Sequence, residues 1–285
     1  RKDKITIIDR IRREKAVSVN LEHNRTKKYI IPNDSPVDFL IALGVQDPKG
    51  FIYDKKRAKF RQINRFLEIV ADVEGTITTT KDLYILDLCC GKSYLSFAIY
   101  HYLTVTLGRK VEMTGMDLKA DVIEYCNRTA RDLHYDGLTF YCGDITAYEI
   151  PEKVHLVVSL HACDTATDMV LEKAVAWKAD VILSTPCCHH ALNKALDCPE
   201  LSFIAEYGML RQKLCDAATD ALRLKLLEAN GYETAALELI DPEETPKNVL
   251  IRGVKRSNVS EKRTAELKAE YHAICEALGI HPFLL

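Results

Sequence analysis

Two apolar runs near the end of this chain, YETAALELI (232–240) and NVLIRGVK (248–255), are joined only by DPEETPK. That spacing constrains the fold more than any other feature. A parallel crossover needs roughly a dozen residues or more, so the two runs predict an antiparallel pair. Upstream the pattern is the opposite. From Lys81 onward the runs YILDLCC (84–90), VEMTGMDL (111–118), LTFYCGDI (138–145), VHLVVSLHA (154–162) and ADVILST (179–185) alternate with amphipathic stretches near 93–104, 119–133 and 165–176. A longer helical stretch near 208–230 ends at Asn230-Gly231, a C-cap signal. Alternation of this kind predicts a parallel sheet with helices on both faces.

Five parallel strands closed by an antiparallel hairpin make a seven-stranded, Rossmann-like α/β sheet. This is the strand recipe of the class I methyltransferase fold; a dinucleotide-binding domain would continue with a sixth parallel strand. Residues 53–285 are expected to form this domain. Residues 1–52, basic and interrupted by Pro32, Pro36, Gly44, Pro48 and Gly50, read as a small N-terminal module docked ahead of it. The chain opens on Arg1 in charged text, as expected of a processed or truncated protein.

Charge is unevenly spread. Residues 1–70 hold 17 Lys and Arg against 9 Asp and Glu, whereas the chain as a whole carries a net charge of −2. The asymmetry points to a polyanionic partner. Much of the excess also reads as the solvated face of one helix, since in YDKKRAKFRQINRFLEIV the residues Phe60, Ile63, Leu67 and Val70 make an apolar stripe and the basic residues mostly lie elsewhere. No apolar run approaches the ~20 residues of a membrane span. Ten cysteines without a secretory signal fit a reducing compartment, so a cytoplasmic protein with thiol cysteines is expected.

Ligands of open α/β sheets bind beyond the carboxyl ends of the strands. The first strand delivers Asp87, then Cys89, Cys90, Gly91 and Lys92 into a helix; Gly91 permits a tight turn. One glycine does not make the pyrophosphate cradle GxGxxG, which disfavours NAD and FAD. The second strand ends in Asp117, placed for two ribose hydroxyls, and the third in Asp144, placed for an adenine amino group. Each acid could alternatively cap a helix. Three in order favour a nucleoside pocket, with S-adenosylmethionine as cofactor and Asp87, Cys89, Gly91, Asp117, Asp144 and Leu160 around it.

The fourth strand ends in SLHACDTATD and the fifth in STPCCHH, so His161, Cys163, Cys187, Cys188, His189 and His190 should gather at one mouth. A metal is not expected there. Adjacent side chains on extended backbone diverge, and no spaced second CxxC pair is present. The cysteines read as small apolar lining, with a Cys-His nucleophile as a further option. Candidates for the acceptor side are His161, Asp168, Lys92, Cys187 and His189. His161 could serve as a base or as a hydrogen-bonded spacer, and Asp168 as an acceptor contact or as a helix-dipole partner.

HACDTATDMVL followed by PCCHH resembles the HxCGxATD and CCHH signatures of the eukaryotic tRNA 2′-O-methyltransferases that act on the acceptor stem. Asp164 stands where those enzymes have glycine. From Asn24 to Val254 the chain is similar to a bacterial family of uncharacterised class I methyltransferases, through HNRTKKYII, FLIALGV, KFRQINRFLE, DLCCGKSYLSFAIY, LHACDTATD, STPCCHH and TPKNVLIR. It also resembles methyltransferase-like proteins and a glutathione-S-transferase C-terminal-domain protein. The resemblance implies methyl transfer from S-adenosylmethionine, with RNA, tRNA among its forms, as the expected partner and a ribose 2′-hydroxyl as the expected site. A small-molecule or protein methyltransferase, and a non-catalytic binding module with a degenerate pocket, are the alternatives.

Overall fold

A computed structural model describes residues 29–77, 82–150, 153–160, 162–239 and 248–280. In chain order the elements are α1 (Asp38–Ala42), α2 (Arg57–Glu74), β1 (Leu83–Leu88), α3 (Tyr94–His101), β2 (Val111–Asp117), α4 (Ala120–Asp132), β3 (Leu138–Cys142) and β4 (Leu156–Ser159). They continue as α5 (Thr165–Ala176), β5 (Val181–Ser184), α6 (His190–Ala195), α7 (Ser202–Ala205), α8 (Gly208–Ala229), β6 (Tyr232–Glu238), β7 (Val249–Lys255) and α9 (Glu261–Ala277). One seven-stranded sheet runs in the order β3-β2-β1-β4-β5-β7-β6. The first five strands are parallel, and β7 pairs antiparallel with both β5 and β6. The expected sheet and terminal hairpin are therefore both present, and the topology is that of the class I methyltransferase fold.

Burial explains the strand sequences. Every residue of β4 and β5 is buried, which is why LVVS and VILS read as continuous apolar runs rather than alternating ones. Helix α8 ends as expected: Asn230 is its C-cap, and Gly231 follows with φ +88°, a left-handed conformation that costs glycine little. Helix α3 continues into a π-helical turn over Tyr102–Thr106.

The described part of the expected N-terminal module shares a core with the sheet. Ile31, Val37, Phe39, Leu40 and Val45 pack in one cluster with Phe60, Ile63, Leu67, Ile85 and Phe97. The buried Gln46 side chain holds this segment together, accepting from the Val37 amide at 2.8 Å and donating to the Ser35 and Gly50 carbonyls at 2.8 Å each. Gly50, at φ +96°, lies so close to Ser35 that a Cβ would sit 2.9 Å from its carbonyl carbon. Residues 1–28 of the module lie outside the described residues. Among the described residues no helix is long and apolar enough to cross a membrane.

Candidate active site

Between β1 and α3 the chain turns through Cys89, Gly91 and Ser93, all with left-handed φ (+62°, +52° and +55°). Two of the three carry a Cβ, so this is a strained loop over-determined by its surroundings. It is pinned from the next strand. The Gly91 amide donates to Asp117 Oδ2 at 2.9 Å, and the Lys119 amide donates to Asp117 Oδ1 at 3.1 Å. Each carboxylate oxygen keeps lone-pair capacity for a further donor.

Behind the loop lies a cavity of about 260 Å³ lined by Lys59, Asp87, Cys89, Cys90, Lys92, Ser93, Tyr94, Leu95 and Leu160. Asp87 is 2% exposed. Its Oδ2 accepts from the Ser96 hydroxyl, whereas its Oδ1 is buried with no hydrogen-bond partner. Burial pushes this carboxyl up to about 7; the Ser96 hydrogen bond opposes the shift and the nearby Asp117 charge adds to it. Burial likewise pushes the Cys89 thiol up to about 11, with Asp117 and Asp87 adding to the rise.

An unpartnered buried carboxylate oxygen on a residue that lines a cavity is costly unless a donor is supplied to it. The amino group of the methionine portion of S-adenosylmethionine is such a donor, and Asp117 at the end of β2 can take the ribose hydroxyls. The residues present therefore fit this group. Of the residues expected around it, Asp87, Cys89 and Leu160 line the cavity, and Gly91 and Asp117 are joined at the adjoining loop. Asp144 is exposed and caps the short turn Ile145–Ala147, accepting from the Thr146 amide at 2.8 Å; that hydrogen bond lowers its pKa.

The expected acceptor residues divide among three places. Lys92 lines the cavity. Cys187 joins Cys163 and Cys188, with sulfurs within 4.8 Å of one another, so the premise that adjacent cysteines diverge does not hold on this non-strand backbone. Asp168 and His189 lie instead in a buried charged network. Arg223 Nε on α8 donates to Asp168 Oδ1 at 2.7 Å, and its Nη1 lies 3.3 Å from Asp220 Oδ1. His189 Nε2 is 2.8 Å from the same Asp220 oxygen, and its Nδ1 is 3.0 Å from Asp216 Oδ1 without hydrogen-bond alignment. His189 also borders a larger cavity of about 640 Å³, together with Pro186, Met209, Lys213 and Val249. The two cavities share no lining residue. His161 lies outside the described residues.

Sequence reasoning missed Lys59 by placing it on the solvated face of α2. The signal was there. Lys59, Ile63, Phe66, Val70 and Val73 fall on one helical line, and all but Lys59 are fully buried. Burial lowers the Lys59 pKa, with the Lys56 charge acting in the same direction. Its ammonium lies 5.3 Å from the centre of the Tyr94 ring.

The sheet order is that of the class I methyltransferase fold, with the candidate site at the carboxyl ends of its strands. Residues 58–195 match a family described as a methyltransferase domain. A glutathione S-transferase C-terminal domain-containing protein homolog from Drosophila melanogaster is 27% identical over 198 residues, covering 59% of this chain and 32% of that protein. The human protein of that description is 21% identical over 226 residues, covering 70% and 34%. The chain thus spans about a third of the length of these relatives. Among solved structures, magnesium protoporphyrin IX methyltransferase from Synechocystis PCC 6803 aligns with a TM-score of 0.46 at 14% identity, covering 77% of this chain and 93% of that one. An rRNA methylase from Streptococcus thermophilus aligns at 0.44 and 8%, covering 66% and 95%.

Proposed function

We propose that this domain methylates RNA, with a ribose 2′-hydroxyl as acceptor. The observation that carries the reading is a groove of about 210 Å³ lined by Tyr29, Asn33, Phe51, Ile52, Arg57, Phe60 and Arg61. Phe51 is 68% exposed at this groove. An exposed ring beside guanidinium groups matches single-stranded nucleic acid, whose bases stack on rings while cations follow the phosphates. Helix α2 carries Arg57 and Arg61 of this groove and also Lys59 of the donor cavity, linking the two sites through one rigid element.

When bound, S-adenosylmethionine supplies an electrophilic methyl group. Asp87 and Asp117 would hold it, beside the loop from Cys89 to Ser93. The acceptor hydroxyl must lose a proton as the new bond forms. Lys92, lining the cavity, lowers the pKa of an oxygen brought beside it, and His161 stands in sequence where a base would act. Asp168 and His189 keep the loops after β4 and β5 in place through Arg223 and Asp220 rather than touching the acceptor.

A second reading, a small-molecule or protein acceptor, is favoured by the largely apolar 640 Å³ cavity beside His189. Tritiated-methyl transfer to total RNA, total protein and small-molecule extract separates the two. Label in RNA supports the first reading; label only in protein or small molecules moves the second ahead. Lys55→Glu, Arg57→Glu and Arg61→Glu together should abolish RNA binding in a gel shift while cofactor affinity stays near wild type. RNA binding should also weaken as salt rises, because neutralised phosphates release counterions.

A further inference from the structure

Three sulfurs from two different loops meet where β4 and β5 end. Cys163 Sγ lies 3.0 Å from Cys187 Sγ, and Cys187 Sγ lies 3.7 Å from Cys188 Sγ. All three lie within 4.8 Å of one another. A cation with metal–sulfur bonds of about 2.3 Å sets tetrahedral thiolates roughly 3.8 Å apart, so one ion can reach all three. Cys163 is exposed and the other two are half-buried, which leaves an ion a route from solvent.

The two loops are held in this arrangement by contacts that involve no cysteine side chain. Asp164, with φ +52°, accepts from the Ala191 amide at 3.2 Å, and its carbonyl accepts from Arg223 Nη2 at 2.9 Å. The Thr185 amide donates to the Ser159 carbonyl at 2.8 Å, tying the ends of β4 and β5 together. Ligands already fixed lose little conformational entropy on binding. Among the described residues no histidine or carboxylate lies within the group.

We infer that Cys163, Cys187 and Cys188 form a binding site for a thiophilic cation, zinc in first place. They supply three of the four ligands that a tetrahedral zinc ion takes. Thiolates select zinc and other soft ions over magnesium or calcium. The inference does not depend on the acceptor being RNA.

The test is a cadmium titration of the reduced full chain, without donor or acceptor. It is followed by the thiolate-to-cadmium absorption band and by native mass spectrometry with zinc. One ion per chain is expected. Binding should be lost in Cys187→Ser and retained in Cys198→Ser. Should Cys187→Ser fail to fold, alkylation of the wild type gives a second measure: zinc should protect Cys163, Cys187 and Cys188 from iodoacetamide and leave Cys142 labelled as before. No absorption band, an ion retained when all three cysteines are serine, or equal labelling with and without zinc would each overturn the inference.

Discussion

Replacing Asp87 by asparagine should strengthen the empty protein and weaken its hold on the cofactor. The carboxyl is fully buried, one of its oxygens has no partner, and its pKa rises from 3.8 to about 7 on folding. Between these values the folded state keeps a proton that the unfolded chain has lost. Stability therefore falls as pH rises through that window and is flat above it. At ~1.4 kcal/mol for each pH unit, the ionised carboxylate costs the empty protein up to about 4 kcal/mol at pH 8. Asparagine keeps an oxygen for the Ser96 hydroxyl and carries no charge. The wild-type stability minus that of Asp87→Asn, from urea unfolding, should thus decline from pH 4 to 7 and then level. Binding should respond in the opposite direction. Loss of a charge-assisted hydrogen bond worth ~1.5–3 kcal/mol weakens S-adenosylmethionine roughly ten- to a hundredfold at pH 8. The difference should shrink at pH 5, where the wild-type carboxyl is itself protonated. A stability difference independent of pH, or equal affinities in calorimetry at pH 8, would refute the reasoning.

Other perturbations bear on separate parts of the molecule. Asp117→Ala removes the acceptor for the Gly91 and Lys119 amides, so cofactor affinity should fall by roughly ten- to a hundredfold by calorimetry while the sheet still melts cooperatively. Arg223→Ala leaves Asp168 and Asp220 buried without their cation and should cost about 3–5 kcal/mol in urea unfolding; a loss below 1 kcal/mol would mean that water reaches the network. Gly115→Ala places a Cβ 2.4 Å from the Phe140 ring and 3.3 Å from Cys90 Sγ, so the melting temperature should drop, and cofactor affinity with it, if the ring cannot withdraw. Tyr232→Phe removes a buried hydrogen bond to the Ala179 carbonyl and should cost about 1 kcal/mol in the same unfolding assay.

The sheet was legible because its central strands β1, β4 and β5 are buried on both faces and the strands are bounded by turn residues, so their apolar content stands out from the helices between. Helix α9 was not. It sits in charged text, and only Leu267, Tyr271 and Cys275 are buried, one residue per turn. Its Ser260 N-cap, which accepts from the Arg263 amide, was the signal available. At the strand ends, the places of Asp87 and Asp117 could be read, because both lie at the end of a parallel strand beside the same loop. The contacts of Asp168 and His189 could not, since their partners on α8 are distant in sequence: Arg223 comes 55 positions after Asp168, and Asp220 comes 31 after His189. The meeting of Cys163 with Cys187 was legible, because β4 and β5 were expected to be neighbours; that Cys188 joins them depends on the backbone of the loop beyond β5.

The placement of β7 between β5 and β6 has a consequence for how the protein is made. A ribosome releases β5 early, but the strand that pairs with its outer edge is the last of the seven to be synthesised. At roughly 5–20 residues per second, the stretch from Ser184 to Val249 takes several seconds to emerge. Throughout that interval VILS presents unpaired amides and carbonyls on an apolar strand, the kind of edge to which other nascent chains can add. Strand β6 cannot shield it, because β6 pairs only with β7. Translation stalled before Val249 should therefore yield aggregating chains, and in intact synthesis the arrival of β7 is the event that closes the sheet.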